Sequence, residues 1–212
     1  MAARKAPGSD RPRPPASVFD DPEGCFVPDY DLVQWLKRTF IVEDGPLFNP
    51  DHHHLDGATI GALWTNVPNA RGGRRVVGTC ERGNPMAMGK WAKAKAEMQV
   101  RHWFGAVPHF ILTFDAEHAL ACDDAEFCAL VEHELYHAAQ ETDEYGAPKF
   151  RQDGSPAFTI RGHDIEEFVG VVRRYGAETA GVSALIEAAK GKPEVAQIRI
   201  SQACGTCLLK AA

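Results

Sequence analysis

Apolar positions recur along this chain with two periods, and the periods mark its elements. At spacings of three and four, Leu32, Val33, Leu36 and Phe40 line one face of a helix, with Asp29 or Asp31 placed to cap it. The same spacing predicts a helix over 86–104 with a core stripe of Met88, Trp91 and Met98, and with Lys95 and His102 in phase. At a spacing of two, Phe110, Leu112 and Phe114 oppose His109, Ile111 and Thr113, so 107–115 is a strand. Pro108 near its start suits an edge position. The helical period returns in Phe127, Leu130, Val131, Leu135 and Ala138, behind a cap at Asp123 or Asp124, in a helix predicted to reach about Glu141. Ala58 to Thr65 fits a strand or a short helix, Asn69–Arg74 reads as a turn and Arg75–Cys80 as a strand, and the two segments pair as a hairpin across that turn. Two further helices are expected, one opening at an Asp164–Glu167 capping box with Ile165, Phe168, Val169 and Val172 as its stripe, the other over 178–190. The class is α+β: a small antiparallel or mixed sheet with a central helix against it.

Composition narrows the setting. A chain of 212 residues, 44% hydrophobic and 25% charged, has the balance of one globular domain. The Pro-rich, basic start predicts a disordered leader over residues 1–22 and one domain over 23–212. A net charge of −6 argues against a broad electrostatic grip on nucleic acid, so Arg71, Arg74 and Arg75 read as a solvated hairpin tip. With no apolar run of membrane-spanning length and no apolar signal core at the start, a cytoplasmic protein is expected. The cysteines then read as thiols, most of them small buried hydrophobes. Cys204 and Cys207 form one half of a zinc knuckle, but no second Cys-x-x-Cys exists to complete it.

The chemistry concentrates in His133-Glu134-Leu135-Tyr136-His137. Residues four apart on a helix project from one side, so His133 and His137 can grip one metal ion, and Glu134 is placed to take a proton from water beside it. On a helical projection Glu134 lies at the border of the apolar stripe and the two histidines just beyond it, where a metal is both held and reachable. A catalytic zinc needs a third protein ligand. Among His163, Glu166, Glu167, Glu141 and Glu144, His163 is the choice because it follows Gly162 at a helix entry and belongs to no core stripe. Glu166 is an alternative, as a ligand or as an acceptor that orients an imidazole. His52-His53-His54 reads first as solvated loop and second as a contributor near the site, and Tyr136 reads as structural, on the side of the helix away from the metal. Tyr145, Tyr175 and His109 are open candidates for transition-state contacts.

His133-Glu-Leu-Tyr-His137 followed by Gly162-His-Asp-Ile-Glu-Glu-Phe168 resembles the putative phage metallopeptidases, within the wider group of zincins that includes the SprT-like and WLM peptidases. Flanking phrases carry the resemblance almost chain-wide, from Leu47-Phe-Asn-Pro-Asp-His52 through Trp103-Phe-Gly105 to Arg173-Arg-Tyr-Gly176 and Ala203-Cys-Gly-Thr-Cys207. It implies a zincin-like fold, a Zn2+ cofactor held by His133, His137 and His163, Glu134 as catalytic base, and a phage or prophage origin. The gap from His137 to His163 is longer than in the compact WLM pattern. The expected activity is hydrolysis of peptide bonds in a protein or peptide substrate, with the 107–114 strand offering a free edge to an extended peptide. The alternative is a catalytically silent, zinc-stabilised interaction protein on the same fold. Intact Glu134 favours the enzyme, since structural zinc needs no such carboxylate.

Overall fold

A computed structural model describes residues 11–196, 199 and 200, so residues 1–10, Cys204 and Cys207 lie outside it. Its centre is a four-stranded mixed sheet in the order β1-β2-β6-β5. β1 (Phe26–Pro28) runs antiparallel to β2 (Ile60–Thr65). β2 lies parallel to β6 (Phe110–Asp115), and β5 (Gly78–Arg82) lies antiparallel to β6. The 107–115 strand is therefore interior, not an edge, because β5 occupies its second side. Its composition carries the reason: Ile111 is as buried as Phe110 and Leu112, and a strand apolar on both faces is a covered one. The expected hairpin of 58–65 with 75–80 is not formed, because β6 lies between β2 and β5; the turn instead closes a small hairpin of its own, β3 (Ala70–Arg71) and β4 (Arg74–Arg75), through Gly72 and Gly73 at positive φ.

On one face of the sheet, Ala62, Trp64, Phe110, Leu112 and Phe114 meet two helices. The first is α1 (Tyr30–Leu36), capped by Asp29, whose side chain accepts from the Leu32 N–H at 2.9 Å and from the Trp64 indole at 2.7 Å. The second is α4 (Asp124–His137), capped by Asp123. Trp64 stacks on Phe127 of α4 with ring centroids 5.8 Å apart, and Trp35 of α1 reaches the same ring. Phe127, Val131 and Leu135 are buried as the helical period requires. On the opposite face, Leu63 and Ile111 meet Val100, Trp103 and Phe104 of α2 (Lys90–Phe104). The expected stripe of α2 is displaced: Met88, Trp91 and Met98 are exposed, and only the C-terminal turns reach the sheet.

α4 stops at His137 and not near Glu141, because Ala138 begins β7 (Ala138–Gln140), which pairs antiparallel with β8 (Phe158–Ile160). A short helix, α3 (Ala116–Ala121), precedes α4. The chain then forms α5 (Val169–Tyr175) and α6 (Ser183–Lys190). The Asp164–Glu167 cap is not made; α5 begins after Phe168, which is exposed together with Val169.

The structure departs from the expected disordered leader over residues 11–22. Arg11 is buried at the start of α4, where its guanidinium meets Asp124 at 3.0 Å, the Asp123 carbonyl at 3.1 Å and the carbonyl of Ala119, and lies 4.1 Å over the Phe127 ring. Val18, in a 3-10 turn over Ala16–Phe19, is fully buried. Asp124 and Phe127 stand over a hundred residues away, so local composition could not foretell this anchorage. No helix among the described residues is long and apolar enough to cross a membrane.

Candidate metal centre

Helix α4 presents His133 and His137 from one side, and the chain leaving β8 returns His163 to meet them. The Nε2 atoms of His133 and His137 lie 3.3 Å apart, and those of His133 and His163 lie 3.2 Å apart. Tetrahedral zinc with Zn–N bonds of about 2.0–2.1 Å sets ligand nitrogens roughly 3.3 Å from one another. All three ligand nitrogens lie within 4.8 Å of one another, and the ring centroids sit 4.8 to 5.1 Å apart.

The outward nitrogens of His137 and His163 face acceptors, as those of ligand imidazoles do. His137 Nδ1 donates to the Arg161 carbonyl at 2.6 Å, which fixes the tautomer and leaves Nε2 a lone pair. His163 Nδ1 lies 3.5 Å from a Glu166 carboxylate oxygen, so Glu166 stands behind the imidazole, not among the converging atoms. Burial, and then the neighbouring imidazoles of His137 and His163, hold His133 below the ordinary histidine range, in its neutral and metal-binding form. These residues fit a divalent ion that takes nitrogen ligands.

Glu134 points from the same helix toward the sheet. It is 4% exposed, and its Oε1 occupies space over β5 that only a glycine leaves open: a Cβ on Gly78 would lie 2.7 Å from it. Burial pushes the Glu134 carboxyl up to about 7. Burial first, and then the charges of Glu134 and Glu81, push the nearby Cys80 thiol up to about 12, and its sulfur is not among the converging ligand atoms.

The cluster opens to solvent. A cavity of about 540 Å³ is lined by the three histidines with Tyr136, Ile165 and Leu185, so α6 forms one wall. Tyr136 is thus nearer the site than expected. Its hydroxyl donates to Asp51 at 2.9 Å and accepts from the Asn49 amide at 2.9 Å. Tyr145, Tyr175 and His109 do not line this cavity.

The histidine tract is not a solvated loop. It forms a 3-10 turn over Pro50–Leu55, capped by Asn49 with proline at its start. His52 is fully buried with its ring edge-on to Tyr136 and no hydrogen bond to either nitrogen. Burial, with the positive charge of His54, pushes it down to about 4, so its 3.9 Å approach to Glu132 is not an ion pair at neutral pH. His53 is exposed, and His54 Nε2 donates to the Ala138 carbonyl at 2.7 Å. Asn49 and Asp51 were missed by the spacing argument, and His54 was reached only through the second reading of the tract. The Asn49-Pro50-Asp51 start of a capped turn was the signal for them.

Fold and site together define the class, an α+β domain whose imidazole cluster can hold a metal ion. The chain belongs to the putative phage metallopeptidase family, whose model matches residues 33–190. No curated protein and no solved structure matches it. The family implies a hydrolase that uses a metal ion, and the matched span contains the helix, Glu134 and all three histidines.

Proposed function

We propose that this protein is a zinc-dependent metallopeptidase of zincin-like fold, with His133, His137 and His163 as metal ligands and Glu134 as general base. The convergence of His163 on the His133–His137 pair carries the reading, because the two-histidine motif alone is an incomplete site. Three imidazoles, with one Nδ1 tied to a carbonyl, are a donor set zinc prefers. Zinc held there supplies Lewis acidity, which acidifies water and stabilises negative charge on a carbonyl oxygen.

The chain's own residues do the rest. Glu134 takes the proton as water attacks the carbonyl carbon, holds it on a carboxyl whose burial raises its proton affinity, and delivers it to the leaving amine. An extended peptide is read as lying along β5 and not along the strand first expected, because β5 ends the sheet and Gly78 brings its backbone close to Glu134. The substrate is a protein or peptide, and the setting is the cytoplasm of a cell in which phage or prophage genes are expressed. One peptidase domain spans residues 23–212, with 11–22 strapped onto it.

Incubation with a mixed peptide library tests this. Cleavage is expected in the zinc-loaded protein, lost on treatment with a chelator and restored by added zinc. Zinc-loaded protein that cleaves no peptide would return the catalytically silent reading.

A further inference from the structure

We propose that His54 is a positioning residue for the metal site: its hydrogen bond to Ala138 pins the pivot at which α4 gives way to the strand pair that returns His163. This rests on the metal reading above. His137 is the last residue of α4 and Ala138 the first of β7, paired with Ile160. Immediately beyond that pair, the Arg161 N–H donates to the His137 carbonyl at 2.9 Å, while the Arg161 carbonyl accepts from His137 Nδ1 at 2.6 Å. The direction in which the backbone leaves Ala138 therefore decides where residues 161–163 arrive, and so how far His163 lies from the other two rings.

The Ala138 carbonyl is held at this pivot by His54 Nε2 at 2.7 Å. Ala138 is 1% exposed, so water cannot readily take over the bond. The other ring nitrogen of His54, Nδ1, lies 3.0 Å from the Asp51 carbonyl, and the turn that carries it is itself held in place. Asn49 accepts from the Asp51 N–H at 3.0 Å to close the turn, and its amide donates to Glu132 at 2.8 Å and to the Tyr136 hydroxyl at 2.9 Å. Tyr136 in turn donates to Asp51. The turn thus grips α4 at the residue before each ligand, Glu132 and Tyr136, and again at the residue after the second. The three consecutive histidines have three separate fates, and the third reaches the metal centre through the backbone without touching a ligand ring.

The test is zinc affinity, measured by competition with a chromogenic chelator on folded protein, alongside the melting temperature of the metal-free form. His54→Ala is expected to weaken zinc binding about tenfold, as loss of an outer support does. His54→Gln keeps an N–H donor and is expected to recover most of the affinity, and His53→Ala to bind as wild type. A His54 that served stability alone would lower the metal-free melting temperature and leave the affinity of folded protein unchanged. That result, in His54→Ala or in the bulkier donor-free His54→Leu if the alanine variant does not fold, overturns the proposal. Wild-type protein that takes up no zinc overturns the metal reading and this assignment with it.

Discussion

Glu134→Gln is expected to retain the metal and to lower kcat/KM for peptide hydrolysis about 10³-fold. The substitution keeps the shape of the side chain and removes only its capacity to accept a proton. The three imidazoles are untouched, since Glu134 is not among the groups whose ligand atoms converge. The size follows from the role. A positioned base contributes on the order of 10²–10⁴ in rate, and a thousandfold loss corresponds to about 4 kcal/mol of barrier. Burial pushes this carboxyl up to about 7, near the pH at which a group can both take and return a proton. A cation on the adjacent imidazoles acts in the opposite sense and favours the ionised, accepting form. Steady-state assay of zinc-loaded wild type and variant, with metal content measured on the same samples, checks this. Activity within tenfold of wild type would remove Glu134 from the role of base.

Arg11→Ala is expected to destabilise the fold by roughly 3 kcal/mol, since breaking a buried charge pair from one side strands the remaining charge. The Asp124 carboxylate is 2% exposed and the Arg11 side chain is fully buried against it, with further bonds to the carbonyls of Asp123 and Ala119 and a cation–π contact to Phe127. Arg13 also reaches Asp124, at 3.3 Å but from a more solvated position, which holds the loss to the lower end of the range for buried pairs. For a domain of this size, 3 kcal/mol lowers the melting temperature by roughly 6–12 °C. Arg11→Leu restores bulk over the Phe127 ring without a charge and is expected to recover little, while Arg11→Leu with Asp124→Leu is expected to recover more than either single change. Thermal unfolding of the metal-free variants decides the matter. A melting point within a degree or two of wild type would mean that residues 11–19 rest on the domain without holding it.

What could be read from the chain alone divides by the range of the interactions involved. The helical period of Phe127, Val131 and Leu135, with an aspartate cap before it, was local information, and it carried the placing of His133, Glu134 and His137 on one helix. His163 was legible as a candidate because Gly162 frees it from any stripe, but its arrival depends on the pairing of Ala138 with Ile160, which no local pattern specifies. The place of the 107–115 strand was misjudged for the same kind of reason. Pro108 suggested an edge, whereas β2 and β5, both remote in sequence from it, enclose it. On α2, Met88, Trp91 and Met98 had the right spacing but no partner surface, since the sheet ends beneath Val100 and Phe104. The histidine tract was judged as extended chain, where alternate residues point opposite ways. In a 3-10 turn successive side chains are spread around the axis, so one is buried, one exposed and one turned back on α4.

The account stands on three imidazoles closing around a single ion. Metal analysis of the purified chain, loaded with zinc and dialysed free of excess, is the direct measurement. It is expected to find about one zinc per chain in wild type and a small fraction of that in His163→Ala and in His133→Ala. Wild type that retains no zinc, or a His163→Ala variant that retains as much as wild type, would contradict it.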